Sequence, residues 1–198
     1  MKYIFDFDGV LFKSKEFKEH TYKCLEEAGV ERGSAEDYYS FVRENEFSLK
    51  DFLERLLKSQ GLGDKADKVY EEVMRECPNF VNRELFEAVR RIGPDNCYIV
   101  TKGNREFQLD KIGRSGFGEI FSLSHIYTTP DKKGKYIKEI CDRNQESEFV
   151  FIDDNLRVTE EPALKTIPNL TTIHYKSEEF EKLMREKGNL GSELKRRK

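Results

Sequence analysis

The sequence predicts an α/β fold, a Rossmann-like parallel sheet flanked by helices with an inserted α-helical domain. Short apolar segments run continuously rather than alternately, with helical segments between them, which is typical of parallel strands buried on both faces. Roughly ninety residues without a strand signal separate the first two strands, whereas a crossover between parallel strands needs only about a dozen. The excess predicts a helical insertion over one end of the sheet.

The first strand is predicted at 2–7, where aromatic and β-branched residues precede the turn signal Asp8-Gly9. Four later segments have the same apolar character, and each is followed by polar or turn-forming residues. They cover 97–100, 123–128, 149–152 and 170–175. The sheet is therefore expected to contain five strands.

Between the first two strands the sequence is helical throughout. In 48–60 the apolar residues recur at helical spacing, and Ser48 is placed to cap the first turn. Similar segments cover 15–28, 34–45 and 64–77, and a helix near 83–92 returns the chain to the sheet. The insertion is expected at 14–80, which leaves 1–13 and 81–198 for the sheet domain.

The composition favours a strongly charged globular protein. With 198 residues the chain suffices for one domain carrying an insertion, and its formal net charge of -3 creates no field that would attract nucleic acid. The basic residues 195–198 are expected to form a solvated end of the chain. We therefore expect no nucleic-acid partner, and a monomer or weak homodimer.

Cysteine usage and hydropathy point to the cytoplasm. The four cysteines form no CxxC pair, and no stretch approaches the ~20 apolar residues of a membrane span. The first residues carry charges and lack the apolar core of a signal peptide. These features predict reduced thiols, a cytoplasmic protein and no membrane partner.

Polar side chains follow the predicted strands at the edge where active sites of parallel sheets lie. Asp6 and Asp8 follow the first strand, and Thr101 follows the second. The lysine-rich turn 128–135 follows the third, and Asp153 and Asp154 follow the fourth. The sequence thus predicts four carboxylates, a hydroxyl and a lysine close together.

Four neighbouring carboxylates repel one another, and a hard divalent cation relieves that repulsion. Magnesium prefers oxygen ligands and keeps some of its waters, so carboxylates and a phosphate oxygen suit it. Transfer of a phosphoryl group needs charge neutralisation and positioning above all. The Thr101 hydroxyl, the loop amides after it and a lysine could supply these.

The segments 6–10, 98–101 and 151–154, with a lysine before a helix, resemble in order the four motifs of the haloacid dehalogenase-like superfamily. The resemblance covers the chain outside 14–80, and the insertion is similar in position to that superfamily's cap domains. It implies a Rossmann-like catalytic core of 1–13 and 81–198 with a helical cap at 14–80.

Site roles follow from this resemblance. It implies that Asp6 is the nucleophile that forms an aspartyl phosphate, and that Asp8 protonates the leaving oxygen and then activates water. The acid role requires the pKa of Asp8 to lie well above the ordinary ~3.9 of an aspartate. Thr101 is the expected phosphate-binding hydroxyl. Asp153 and Asp154 are the expected metal pair, with Asp6 and Asp8 completing the predicted Mg²⁺ site.

Further candidates for phosphate binding lie in the loops. They are Gly9, Lys102, Gly103 and the motif lysine. Lys132, Lys133 and Lys135 all lie in the right loop, and Lys133 is preferred because a Lys-Gly pair opening a helix resembles several superfamily members. Lys13 stands where an aspartate is usual in members with this kind of cap. Either it adds positive charge for an anionic substrate or it is a surface lysine.

The leading hypothesis is a Mg²⁺-dependent phosphatase acting on a small phosphorylated metabolite. A phosphotransferase or sugar-phosphate mutase would use the same aspartyl phosphate and remains open, as does a catalytically silent binding protein on the same fold. A dehalogenase would not be expected to keep Asp8 and the full magnesium set. A signalling receiver domain would place its acidic pair in a different order along the chain.

Overall fold

The computed structural model describes residues 1–42 and 47–185 and contains a five-stranded sheet whose strand pairs are all parallel. The strands are β1 (Lys2–Phe5), β2 (Cys97–Lys102), β3 (Ile126–Thr129), β4 (Phe149–Asp153) and β5 (Leu170–His174). Their order in the sheet is β3-β2-β1-β4-β5, so β1 lies in the centre. The predicted Rossmann-like α/β fold is confirmed.

Helices surround this sheet and fill the stretch between β1 and β2. They are α1 (Ser14–Ala28), α2 (Arg32–Val42), α3 (Leu49–Ser59), α4 (Ala66–Arg75), α5 (Arg83–Ile92), α6 (Arg105–Arg114), α7 (Gly134–Arg143), α8 (Leu156–Thr159) and α9 (Pro162–Lys165). A further helical stretch covers 178–185. Within the described ranges, none of the helices is long and apolar enough to cross a membrane.

Two strand boundaries differ from the sequence-based prediction. β1 ends at Phe5, because the backbone of 7–12 folds back on itself through hydrogen bonds within the loop. β3 begins at Ile126, because Leu123–His125 forms a 3₁₀ turn. In both cases the strand is shorter than the apolar run from which it was predicted.

The helices of the insertion agree with their predictions in position. α3 is capped as predicted, with the Ser48 hydroxyl accepting a hydrogen bond from the Asp51 N–H at 3.3 Å. The predicted helix at 64–77 is interrupted, since 3₁₀ turns precede and follow α4. The last residues of the predicted helix at 34–45, and the basic residues 195–198, lie outside the described residues.

The core divides between the two faces of the sheet, because side chains alternate along each strand. Tyr3 and Phe5 of β1 pack into a large apolar cluster that extends into the insertion, whereas Ile4 packs into a smaller cluster beneath α7 and α9. Aromatic contacts join the loop after β1 to the insertion, including Phe12 with Phe17 at 5.2 Å between ring centroids. The helical insertion is thus anchored directly beside the carboxyl end of β1.

Candidate active site

The candidate site lies where the chain order reverses within the sheet. The chain proceeds from β1 to β2 and β3 on one side and then crosses to β4 and β5 on the other. Loops that leave neighbouring strands in opposite directions open a crevice at this point, at the carboxyl ends of the strands. Asp6 immediately follows β1, its N–H donates to the Ile152 carbonyl at 2.9 Å, and Asp153 ends β4.

Three of the predicted carboxylates converge at this point. Asp6, Asp153 and Asp154 each offer an oxygen atom, and these oxygens all lie within 4.8 Å of one another. Asp6 and Asp153 are buried, and Asp154 is more exposed. Repulsion between neighbouring carboxylates is strong where they are buried away from water. A divalent cation bound by their oxygens would compensate the negative charge. These donors fit magnesium.

Lys133 is the lysine that the structure places among the carboxylates. Its Nζ lies 2.7 Å from Asp6 Oδ1 and 2.7 Å from Asp153 Oδ2. Lys133 directly precedes α7, so the fixed start of the helix holds its stem. The side chain of Lys132 instead pairs with Glu161, and Lys135 is exposed.

Burial changes the ionisation of these groups. Burial raises the pKa of Asp6 to about 7, and the charge of Lys133 opposes that rise. Burial also raises the pKa of Asp154, together with the charge of Asp153. For Lys133, burial works against the charged form, but the carboxylates of Asp6 and Asp153 outweigh it and raise its pKa. A cation among the carboxylates would therefore favour their ionised forms.

The Asp6 carboxylate is held on one side only. Its Oδ1 accepts hydrogen bonds from the Phe7 N–H at 2.7 Å and pairs with Lys133. Oδ2 accepts no hydrogen bond from any residue of the described ranges. This leaves one oriented oxygen available to a metal ion or an electrophile.

The Asp8 carboxylate is held by side chains of the sheet domain and of α1. It accepts hydrogen bonds from Ser14 Oγ at 2.5 Å, Lys111 Nζ at 2.6 Å and Gln108 Nε2 at 2.8 Å. It lies outside the group of three converging carboxylates, so a metal ligand at Asp8 stays a prediction. Burial acts to raise the pKa of Asp8, but Lys111 and these hydrogen bonds outweigh burial and lower it. The predicted raised pKa is therefore wrong.

Sequence reasoning missed Ser14, Gln108 and Lys111. The missed signal was the placement of Gln108 and Lys111 on the buried face of α6, beside Phe107 and Ile112. A lysine on a buried helix face needs a carboxylate partner, because a buried unpaired charge is very costly. That requirement pointed to an aspartate elsewhere in the chain, but not to which one.

Thr101 lies at the end of β2 with a hydroxyl that has no partner. The residue is fully buried, it lines the cleft, and its Oγ1 makes no hydrogen bond with any described residue. A buried unsatisfied hydroxyl costs about 1–3 kcal/mol. The hydroxyl is thus a donor left available for a group that enters the cleft.

The two glycines predicted to bind phosphate do not offer free amides. The Gly9 N–H donates to the Phe12 carbonyl at 2.8 Å, and the Gly103 N–H donates to the Thr129 carbonyl at 2.8 Å. They are needed for space instead, since both have positive φ and a Cβ on Gly9 would collide with the Asp154 carboxylate. Phosphate binding at Gly9 and Gly103 therefore stays a prediction.

A cleft of about 1040 Å³ opens above these residues, between the sheet edge and the insertion. Lys102 and Lys13 are both exposed and both line it. Most of the aromatic side chains that line it come from the insertion, namely Phe17, Tyr22, Tyr39, Phe47 and Phe52. Phe107 and Tyr175 of the sheet domain also line it. The site therefore combines a polar floor on the sheet with a partly apolar wall.

Comparison with solved structures shows the same fold. A protein from Burkholderia xenovorans LB400 described as a haloacid dehalogenase-like hydrolase superposes with a TM-score of 0.68 at 19% identity, covering 90% of this chain and 83% of that chain. A haloacid dehalogenase-like family hydrolase from Xanthomonas campestris gives 0.55 at 17% identity, covering 89% and 84%. L-2-haloacid dehalogenase from Xanthobacter autotrophicus gives 0.52 at 15% identity, covering 89% and 78%.

No protein-family model and no curated protein matches the sequence. The structural likeness nevertheless shows that the chain has the haloacid dehalogenase-like fold.

Proposed function

We propose that this protein is a Mg²⁺-dependent phosphatase that hydrolyses a small phosphorylated metabolite through an aspartyl phosphate on Asp6. The observation that carries the proposal is the convergence of Asp6, Asp153 and Asp154 around Lys133, beside the unpartnered Thr101 hydroxyl. Phosphoryl transfer requires charge neutralisation and a donor for the phosphoryl oxygens, and these residues supply both.

The carboxylate cluster favours a phosphatase over a dehalogenase. Haloacid dehalogenases are among the proteins that share the fold, so the fold alone does not separate the two activities. Displacement of a halide from carbon needs no cation, whereas three neighbouring carboxylates are strongly stabilised by one. A divalent cation at Asp6, Asp153 and Asp154 would compensate the negative charge of the carboxylates and of the phosphoryl oxygens.

In the first step the free Asp6 oxygen attacks phosphorus, the bond between phosphorus and the ester oxygen breaks, and the ester oxygen leaves as an alkoxide that takes a proton from water. Lys133 keeps the other Asp6 oxygen in place during the attack. Thr101 donates its hydroxyl to a phosphoryl oxygen. In the second step a water oxygen attacks the same phosphorus, the bond to Asp6 breaks, and the water proton passes to Asp8.

The contacts of Asp8 support the second of its two predicted roles. Held by Lys111, Gln108 and Ser14, the carboxylate is ionised and accepts protons. Protonation of a leaving alkoxide by Asp8 requires the carboxyl group to leave Lys111 first. Esters with good leaving groups need no such acid, and we expect them to be hydrolysed faster than alkyl esters.

The insertion is proposed to act as the cap of this enzyme. It covers 14–80, and the cleft lies between its helices and the sheet. An enclosed cleft excludes bulk water and strengthens the electrostatic interactions inside it. Its volume of about 1040 Å³ suits a small molecule rather than a folded protein.

The test is phosphate release from a broad panel of phosphate esters, with and without Mg²⁺. We expect Mg²⁺-dependent release of free phosphate by the wild type and a loss of at least a thousandfold in Asp6→Asn. Asp95→Asn is the matched control, because Asp95 is an exposed acid outside the cleft. Equal activity in Asp6→Asn and the wild type, or isomerised ester without free phosphate, would contradict the proposal.

A further inference from the structure

The cleft carries more positive charge than its catalytic floor requires. Its wall includes the lysines Lys13, Lys15, Lys18, Lys102, Lys111, Lys133 and Lys176. Lys133 is neutralised by Asp6 and Asp153, and Lys111 by Asp8. The other five form no ion pair with any carboxylate in the described ranges, and Glu16 is the lone acidic lining residue besides the aspartates there. This leaves an excess of cations around the cleft.

Lys18 is the best placed of these cations to recognise a ligand. It is half-buried, and its Nζ lies 5.8 Å from the ring centroid of Tyr22 and 5.4 Å from that of Tyr39. Contact with aromatic faces restricts the lysine side chain, so less conformational entropy is lost when an anion binds. Lys15 lies three residues before Lys18, on the same side of α1.

The position of Lys18 along α1 sets its distance from the phosphoryl site. α1 begins at Ser14, whose hydroxyl contacts Asp8. Lys18 follows four residues later, which is about 6 Å along the helix axis. A ligand anion at Lys18 would therefore belong to the far end of a molecule whose phosphoryl group lies at Asp6.

Lys176 is a further cation of the cleft lining, and its backbone is strained. Lys176 has φ of 63°, and among the described residues it is the one non-glycine with positive φ. A residue with a Cβ rarely adopts this left-handed backbone conformation. Lys176 follows β5 and places a further exposed lysine at the wall of the same cleft.

From these contacts we infer that the substrate carries a second anionic group, a carboxylate or a second phosphate, and that Lys18 is the specificity-determining residue that binds it. The inference rests on the proposed function and extends it to a substrate class, the phosphate esters of acidic or doubly phosphorylated small molecules. Charge-assisted hydrogen bonds to Lys18 favour these esters over neutral ones, by about tenfold to a hundredfold in kcat/KM.

The experiment compares 4-(phosphonooxy)butanoate and butane-1,4-diyl bisphosphate with butyl phosphate, which has a closely similar leaving group but no second anion. We expect wild-type kcat/KM to be at least tenfold higher for one of the two probes that carry a second anionic group than for butyl phosphate. In Lys18→Met this ratio should fall at least tenfold, whereas Lys18→Arg should keep most of it. Lys23→Met is the matched control, because Lys23 is an exposed lysine of α1 outside the cleft lining.

A ratio near one in the wild type, or an unchanged ratio in Lys18→Met, would overturn this inference while leaving the proposed function intact. Absence of Mg²⁺-dependent hydrolysis of all three esters and of the broader panel would overturn both. Because the readout is a ratio between substrates, a general loss of folded protein does not imitate the expected result.

Discussion

At the residue scale, the carboxylate cluster depends on a glycine that leaves room for Asp154. Gly9 has φ of +80°, and a Cβ there would meet the Asp154 carboxylate. We expect Gly9→Ala to raise the Mg²⁺ concentration needed for half-maximal activity at least tenfold, because the displaced carboxylate no longer converges with Asp6 and Asp153. Gly61→Ala is the control, since Gly61 has φ of +72° and no atom within 4 Å of its would-be Cβ. An equal effect of both substitutions would show that backbone strain alone is responsible.

Asp6 links the stability of the metal-free protein to pH. Its pKa is raised by burial from 3.8 to about 7, so the folded state binds a proton that the unfolded state has already lost above pH 4. In EDTA, the free energy of unfolding should therefore fall between about pH 4 and pH 7, by at most about 4 kcal/mol at about 1.4 kcal/mol per pKa unit. Chemical denaturation across this range should show the decline in the wild type and a weaker one in Asp6→Asn. A wild-type curve parallel to that of Asp6→Asn would contradict the assignment.

Lys111 and Asp8 form the second charged pair of the site. Lys111 is buried among the rings of Phe7, Phe12 and Phe107, and its Nζ lies 2.6 Å from Asp8. Removing one partner leaves a buried charge uncompensated, so Lys111→Met should destabilise the protein by about 2–4 kcal/mol. In the double variant with Asp8→Asn the loss should be smaller than the sum of the single losses by at least about 1 kcal/mol. Additive losses in chemical denaturation would contradict the pairing.

At the element scale, α4 of the insertion is tied to α6 of the sheet domain by side chains. The Tyr70 hydroxyl donates to Asp110 Oδ2 at 2.7 Å, and Arg114 makes two contacts with Glu71, at 2.7 and 3.0 Å. Tyr70→Phe removes one hydrogen bond and should lower the free energy of unfolding by about 1 kcal/mol. The control is Tyr136→Phe, because the Tyr136 hydroxyl makes no hydrogen bond with a described residue. A loss as large in the control would mean that removal of a tyrosine hydroxyl as such, rather than of the hydrogen bond to Asp110, lowers the stability.

The elements themselves were largely predictable from local signals. The periodicity of 48–60 and the cap at Ser48 predict α3, because both signals depend only on residues that are close together in the sequence. The end of β1 was not predictable in this way, since Phe7 continues the apolar run but packs against Phe12 and Phe117 from a loop. Apolar character reports burial, and a buried loop residue has the same character as a strand residue.

The site was predictable in part for a related reason. Asp6 directly follows β1, Thr101 lies next to the last residue of β2, and Asp153 ends β4, so parallel topology alone brings them to one edge. The partners of Asp8 could not be found in this way, because Lys111 lies 103 residues away on the inner face of a helix. The order of polar residues at strand ends therefore predicts which of them meet at the site. Their ionisation depends on distant partners and is not predictable without the packed structure.

At the scale of the whole molecule, the sheet supplies the charged floor and the insertion supplies the wall. The floor is rigid because Asp6 directly follows β1 and Asp153 ends β4, two neighbouring strands of a parallel sheet. The wall is built from helices whose aromatic and lysine side chains face the same cleft. We propose that the floor determines the reaction and that the wall determines the substrate. This division is expected because one fold can carry different sites in different proteins.

The central claim is that Asp6 carries the phosphoryl group during turnover. The most direct measurement is mass spectrometry of peptides from a reaction that is stopped rapidly with acid, in the presence of Mg²⁺ and a hydrolysed ester. We predict a phosphate on Asp6 in the wild type that is absent without Mg²⁺ and absent in Asp6→Asn. Turnover with phosphate on a different residue, or undiminished turnover by Asp6→Asn, would contradict the account.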